Sequence, residues 1–146
     1  MMKLKSKITV IAIIILSLPI SSISFLLFMK GDIEFETLSK GDNGHETKTF
    51  YVINTEDEFL NLWNITHTSS NPPKAPSIDF TKADVIAVYG GEYNSGASIE
   101  IVKITNSYKN IHVYYKIELN AATVISHPYH IVKTTNLAKE VVFTEI

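Results

Sequence analysis

"DVIAVYGGEYNSGASIEIVKI", residues Asp84 to Ile104, decides the fold. From Val85 to Tyr89 every position is apolar, which fits a central strand covered on both faces. Gly90 and Gly91 end it. A polar tip containing Asn94, Ser95 and Gly96 follows, and "ASIEIVKI" resumes as a second strand. The tip either binds something or simply turns the chain.

Reading toward the C-terminus, more strands appear. "IHVYYKI" alternates cleanly, with Ile111, Val113, Tyr115 and Ile117 on one face and His112, Tyr114 and Lys116 on the other. "PYHIVK" and "EVVFTEI" are two further strands, and "TNSYKN" is a turn. Reading toward the N-terminus, "DIEFETL" and "KTFYVI" are strands joined by "SKGDNGHE". Gly41, Asp42, Asn43 and Gly44 supply the residues that a hairpin turn favours.

One convincing helix lies in "NTEDEFLNLWNIT". Thr55 and Glu58 have capping-box spacing, Glu56 and Asp57 suit the positive end of the helix dipole, and Phe59, Leu62 and Trp63 form one apolar face. Trp63 reads as a core anchor. The proline-rich "THTSSNPPKAPS" after it reads as a crossing loop. The expected fold is mainly β: an antiparallel sandwich or partly open barrel with one packed α-helix, preceded by an N-terminal apolar helix.

Residues 1–30 do not belong to that domain. Lys3, Lys5 and Lys7 precede an apolar run from Ile8 to Met29. As a helix, 22 residues reach roughly 33 Å, enough to cross a bilayer. A cleaved signal peptide with a cut near Ser22-Ile23-Ser24 competes with an uncleaved anchor. "FLLFMK" carries the apolar run past that cut and favours the anchor. The lysines would stay cytoplasmic, leaving residues 31–146 as one extracytoplasmic domain, secreted if the leader is removed.

All thirteen basic residues are lysines, and four of them lie at or before Lys30. The remaining nine face fifteen acids, a formal charge near −6 for residues 31–146. A nucleic-acid binder concentrates positive charge and uses arginine, so nucleic acid is excluded as a partner class. The absence of cysteine excludes disulfides, thiolate metal sites and a cysteine nucleophile. "NIT" at Asn64 to Thr66 matches an N-glycosylation triplet.

Catalytic signals are thin. Glu92 beside the tip lacks a visible second carboxylate, and Ser95 and Ser98 lack the G-x-S-x-G elbow. Gly90, Gly91 and Gly96 are not followed by a helix that could cradle phosphate. His127 and His130 in "HPYH" invite a metal reading, yet three residues apart on a strand they point to opposite faces. The domain is therefore expected to be non-enzymatic, without cofactor or metal.

Taken in order, "FYVINTEDEFLNLW", "IDFTKADVIAVYGGEYNSGASIEIVKI" and "HPYHIVK" with "VVF" resemble the C-terminal domain of the PrcB family, the protease-complex subunits. The resemblance spans about Phe50 to Phe143. Asp79 and Phe80 match an Asp-Phe pair, Gly91 and Glu92 a Gly-Glu pair, Gly96 and Ser98 the tip, and Pro128, Tyr129, Ile131, Val132 and Lys133 the last motif. Ala97 stands where the family carries an aromatic, and the tip is one residue shorter.

The resemblance implies an exported, membrane-tethered accessory subunit that associates with a cell-surface protease, with no catalytic residue. The implied contact residues are Glu92, Asn94, Ser95, Gly96 and Ser98 of the tip, with Pro128 and Tyr129 beside it. Two alternatives stay open. One is a protease inhibitor that uses the tip; the other is a small-ligand or metal module built on His127 and His130.

Overall fold

The computed structural model describes residues 31–146. The expected apolar helix and the membrane span at residues 8–29 lie outside them. Among the described residues no helix is long and apolar enough to cross a membrane. The elements are β1 Gly31–Asp32, β2 Phe35–Gly41, β3 Thr49–Ile53, α1 Glu56–Thr66, β4 Ala83–Tyr89, β5 Ala97–Asn106, β6 Ile111–Leu119, β7 Tyr129–Thr135 and β8 Val141–Glu145. They form two four-stranded sheets, ordered β1-β5-β6-β8 and β2-β7-β4-β3.

The apolar run is the reason for three layers. β4 lies inside its sheet, paired with β7 on one side and β3 on the other, and Val85 to Tyr89 are all fully buried. Val85, Ala87 and Tyr89 face a core shared with Phe59, Leu62 and Trp63 of α1. Ile86 and Val88 face a second core shared with Ile99, Ile101, Ile104, Ile111, Val113 and Tyr115 of the other sheet. Burying each such aliphatic side chain contributes about 1.5–3 kcal/mol. The mainly-β sandwich with one packed helix is the architecture observed.

α1 begins as the spacing predicts. The Thr55 hydroxyl accepts from the Glu58 amide at 3.4 Å and donates to Glu58 Oε2 at 3.0 Å. Trp63 is buried, and its Nε1 donates to the Pro73 carbonyl at 2.8 Å, which ties the proline-rich loop to the helix.

Two expectations need correction. β2 and β3 do not form a hairpin: β2 pairs with β7 and β3 with β4, so they lie at opposite edges of one sheet. The connection between them crosses the end of that sheet, and the amide of Gly44 donates to the His127 carbonyl at 2.7 Å. No residue from Gly41 to Gly44 adopts the left-handed backbone of a tight hairpin; among the described residues only Gly91 does. Nor is the sandwich wholly antiparallel, because β8 pairs parallel to β6. A parallel neighbour needs a crossover, and here β7, in the other sheet, serves in place of a helix.

His130, the second histidine of "HPYH", turns into the interior. It is buried between the sheets, 2% exposed. β5 is irregular between Ile101 and Lys103, and β2 between Thr37 and Ser39. His130 bridges these two irregularities. The Ile101 amide donates to Nδ1 at 2.9 Å, so Nε2 carries the ring proton and donates to Thr37 Oγ1 at 2.8 Å. Burial, helped by Lys40, lowers its pKa to about 4.

Candidate functional site

Three connections meet at one end of the sandwich: residues 42–48, residues 90–96 and residues 120–128. Backbone hydrogen bonds lace them together. Glu92 N donates to Glu46 O at 3.0 Å, His127 N to Asp42 O at 2.7 Å, and Gly90 N to Pro128 O at 2.8 Å. Tyr93 and Ser126 exchange amide and carbonyl bonds, each at 2.9 Å. The Ser126 hydroxyl then donates to the Ser95 carbonyl at 2.8 Å and accepts from the Ala97 amide at 3.0 Å.

The tip is thus neither a free loop nor a hairpin. It carries the chain from β4 in one sheet to β5 in the other. Gly91 starts the crossing with a φ of 85°, a conformation that costs glycine little. Gly96 is buried; it donates to Ala122 O at 2.9 Å and accepts from Asn120 N at 2.8 Å. A Cβ there would collide with the Asn120 side chain.

The residues singled out in the sequence divide accordingly. Glu92, Asn94 and Ser98 are exposed and Ser95 half-buried, while Gly96, Pro128 and Tyr129 are buried. Tyr129 turns inward, with its hydroxyl 3.0 Å from Ser39 Oγ. His127 Nε2 lies 3.4 Å from Glu92 Oε2, whereas His130 points between the sheets, so the two histidines do not converge. Among the described residues no three metal-ligating side chains come together.

What sequence reasoning missed sits beside the tip. Leu119, Val124 and Ile125 are 63%, 53% and 65% exposed, all on or flanking the 120–128 connection. The signal was present as an apolar pair, Val124-Ile125, in a stretch without strand period. Asp42, Glu46 and Glu92 lie on the laced connections, so this end combines exposed apolar side chains with acids.

Two other motifs are absorbed by the fold. Asn64 to Thr66 lies in α1, with the Thr66 hydroxyl buried between Leu62 O at 2.8 Å and the Tyr89 hydroxyl at 2.6 Å. That hydroxyl is unreachable once the domain has folded. A serine–histidine contact also exists, but away from the tip. Ser39 Oγ lies 2.9 Å from His67 Nε2, and His67 Nδ1 donates to the Trp63 carbonyl at 2.9 Å. With the Tyr129 hydroxyl on Ser39 and the His67 ring stacked on Trp63 at 4.2 Å, this circuit pins β2, α1 and β7 together.

Comparison of the chain with family models, with curated proteins and with solved structures finds no match.

Proposed function

We propose that residues 31–146 are a non-enzymatic, extracytoplasmic protein-binding domain, held at the membrane through residues 8–29, that associates with an exported protease as an accessory subunit. The observation that carries the binding role is the laced end of the sandwich. Its backbone is fixed by hydrogen bonds across three connections, and it leaves Leu119, Val124 and Ile125 in solvent next to Asn94 and Ser98. A rigid surface with exposed apolar side chains loses little entropy on docking. The protease as partner, and the accessory role, rest on the resemblance to the PrcB family; the outward orientation rests on the three N-terminal lysines.

The test uses the full chain in its native membranes, with a photo-crosslinking residue at Asn94, Ser98 or Val124. An exported protease captured from these positions, and lost in Val124→Asp with Ile125→Asp, is the expected result. Exported partners captured only from positions at the opposite end of the sandwich would overturn the assignment of this surface. Turnover of a small peptide substrate by the captured protease should be unchanged or raised on adding the chain. Competitive inhibition would instead make the protein an inhibitor. Arginine at Gly96 is unsuited to this test, because its Cβ would push the Asn120 side chain off the Ala122 amide and so reshape the surface under test.

A further inference from the structure

A second surface, separate from the laced end, lies along β3. This strand is the outer member of its sheet, and among the described residues its only strand partner is β4. Edge strands are ordinarily guarded by bulges, prolines, charges or extreme shortness. The opposite edge, β2, is irregular at Thr37 to Ser39 and carries Glu36 and Lys40, and β1 has two residues. β3 has none of these devices. Its sequence Thr49-Phe50-Tyr51-Val52-Ile53 contains neither charge nor proline, and its register with β4 runs unbroken from Thr49↔Tyr89 to Ile53↔Val85.

Beside this edge runs a groove of about 260 Å³ between β3 and α1. Val52, Ile53, Leu62 and Ile65 line it with apolar surface, Val52 and Ile65 being 41% and 50% exposed, and Glu58 and Asn61 supply polar groups. At the C-terminal end of β3 the chain enters the first turn of α1, where Glu56, Asp57 and Glu58 follow one another. None of the three forms an ion pair among the described residues, nor does the last turn of α1 carry a basic residue.

The geometry points to β3 as a docking edge for an extended, basic segment of a partner protein, which adds antiparallel to β3 as a fifth strand. Main-chain hydrogen bonds to β3 give the segment its grip, and alternate side chains choose it. Antiparallel addition brings the N-terminal end of the segment to the acidic turn, so lysine or arginine belongs there. β-Branched residues then follow at two-residue spacing, every other one lying in the groove against Tyr51, Leu62 and Ile65. Charge selects the partner: a domain with nine lysines against fifteen acids repels an acidic strand.

The test measures fluorescence anisotropy of a labelled peptide, Lys-Lys-Val-Thr-Val-Thr-Val, with the full chain in detergent. Three comparisons follow: a Glu-Glu counterpart, a version N-methylated on alternate residues along one edge, and a titration in 0.5 M salt. The expected result is binding of the basic peptide at least tenfold tighter than either altered peptide, weakened by salt. Glu56→Lys with Asp57→Lys should reverse the charge preference, and Ile65→Lys should weaken binding about tenfold. A cooperative melt of each variant separates lost binding from lost fold. Should the charge-inverted chain not fold, Glu56→Gln with Asp57→Asn repeats the test. Equal binding of basic and acidic peptides overturns the proposal, as does binding of the N-methylated peptide as tight as its parent. A dimeric mass in sedimentation that Val52→Glu returns to monomer also overturns it, because the occupant would then be a second copy of the chain.

Discussion

On the helix side of the β2-β7-β4-β3 sheet four of the nine buried groups are aromatic: Phe59, Trp63, Tyr89 and Tyr129. Between the sheets they are largely aliphatic: Ile86, Val88, Ile99, Ile101, Ile104, Ile111, Val113 and Val132. The same two strands, β4 and β7, feed both cores. The helix side carries polar handles, and each has a fixed partner. Trp63 reaches Pro73, Tyr89 reaches Thr66, and Tyr129 reaches Ser39. Such bonds accept only one placement of α1 over the sheet. The aliphatic core would tolerate small slides of one sheet over the other; there, the buried His130 ties β7 to the Ile101 amide of β5, and at the laced end Ser126 ties the chain to the Ala97 amide. One core sets position by the polar ends of its aromatic rings, the other by a few buried polar side chains.

The contrast can be broken in graded steps. Phe59→Ala should cost about 3–5 kcal/mol, a transfer and cavity penalty in the helix-side core. Ile99→Ala removes volume on the far side of the sheet, so the double variant should equal the sum of the singles within about 0.5 kcal/mol in denaturant unfolding. Coupling well beyond that would show that the shared strands transmit packing changes between the cores.

The His130 bridge should appear as acid sensitivity. Its folded pKa lies near 4 against an ordinary 6.5, because burial disfavours the charged ring. Between those values the unfolded chain binds a proton that the folded chain does not, so stability falls as pH drops from about 6.5 to about 4. The loss from this group is on the order of 3 kcal/mol. Unfolding curves of the wild type and His130→Leu across that range check it: the variant should lack this part of the slope. A wild-type slope retained in the variant would assign the acid sensitivity to other groups.

The smallest expected step is Tyr89→Phe. Burial holds the Tyr89 phenol up at about 12, so it is neutral at all ordinary pH, and removing it takes one hydrogen bond from Thr66. Thr66 keeps its bond to the Leu62 carbonyl. About 1 kcal/mol is expected, with no change in the acid profile, because the aliphatic core is untouched.

Much of this fold was legible where the signal is local. The doubly buried β4 follows from five consecutive apolar residues, the alternation of β6 from Ile111 to Ile117, and the α1 start from the Thr55–Glu58 pair. The partners of β2 and β8 were not legible, because strand pairing depends on residues far apart in sequence. Phe35 pairs with Thr134 and Val113 with Phe143. Turn-forming residues at Gly41 to Gly44 suggested a hairpin, yet the same glycines serve a crossing connection. The site was half visible. Polar and glycine residues marked the tip at residues 91–96, and the "HPYH" segment does lie beside it. Leu119, Val124 and Ile125 were overlooked because an apolar side chain in a polar stretch carries no periodicity that declares its exposure. The burial of His130 was equally hidden, because its partners, the Ile101 amide and the Thr37 hydroxyl, lie on two other strands distant in sequence.

The position of β7 bears on how the chain is made. Translation delivers residues from the N-terminus, yet β4 is flanked on one side by β7, which begins at Tyr129, and β2 waits for the same strand. Until Tyr129 to Thr135 emerge, the β2-β7-β4-β3 sheet has a gap at its middle, and Val85 to Tyr89 remain uncovered along that edge. Contacts this distant in sequence favour slow folding, and an uncovered run of strongly β-forming residues favours self-association. Closure of the sheet therefore waits on the arrival of β7, and until then the nascent chain exposes an edge open to pairing.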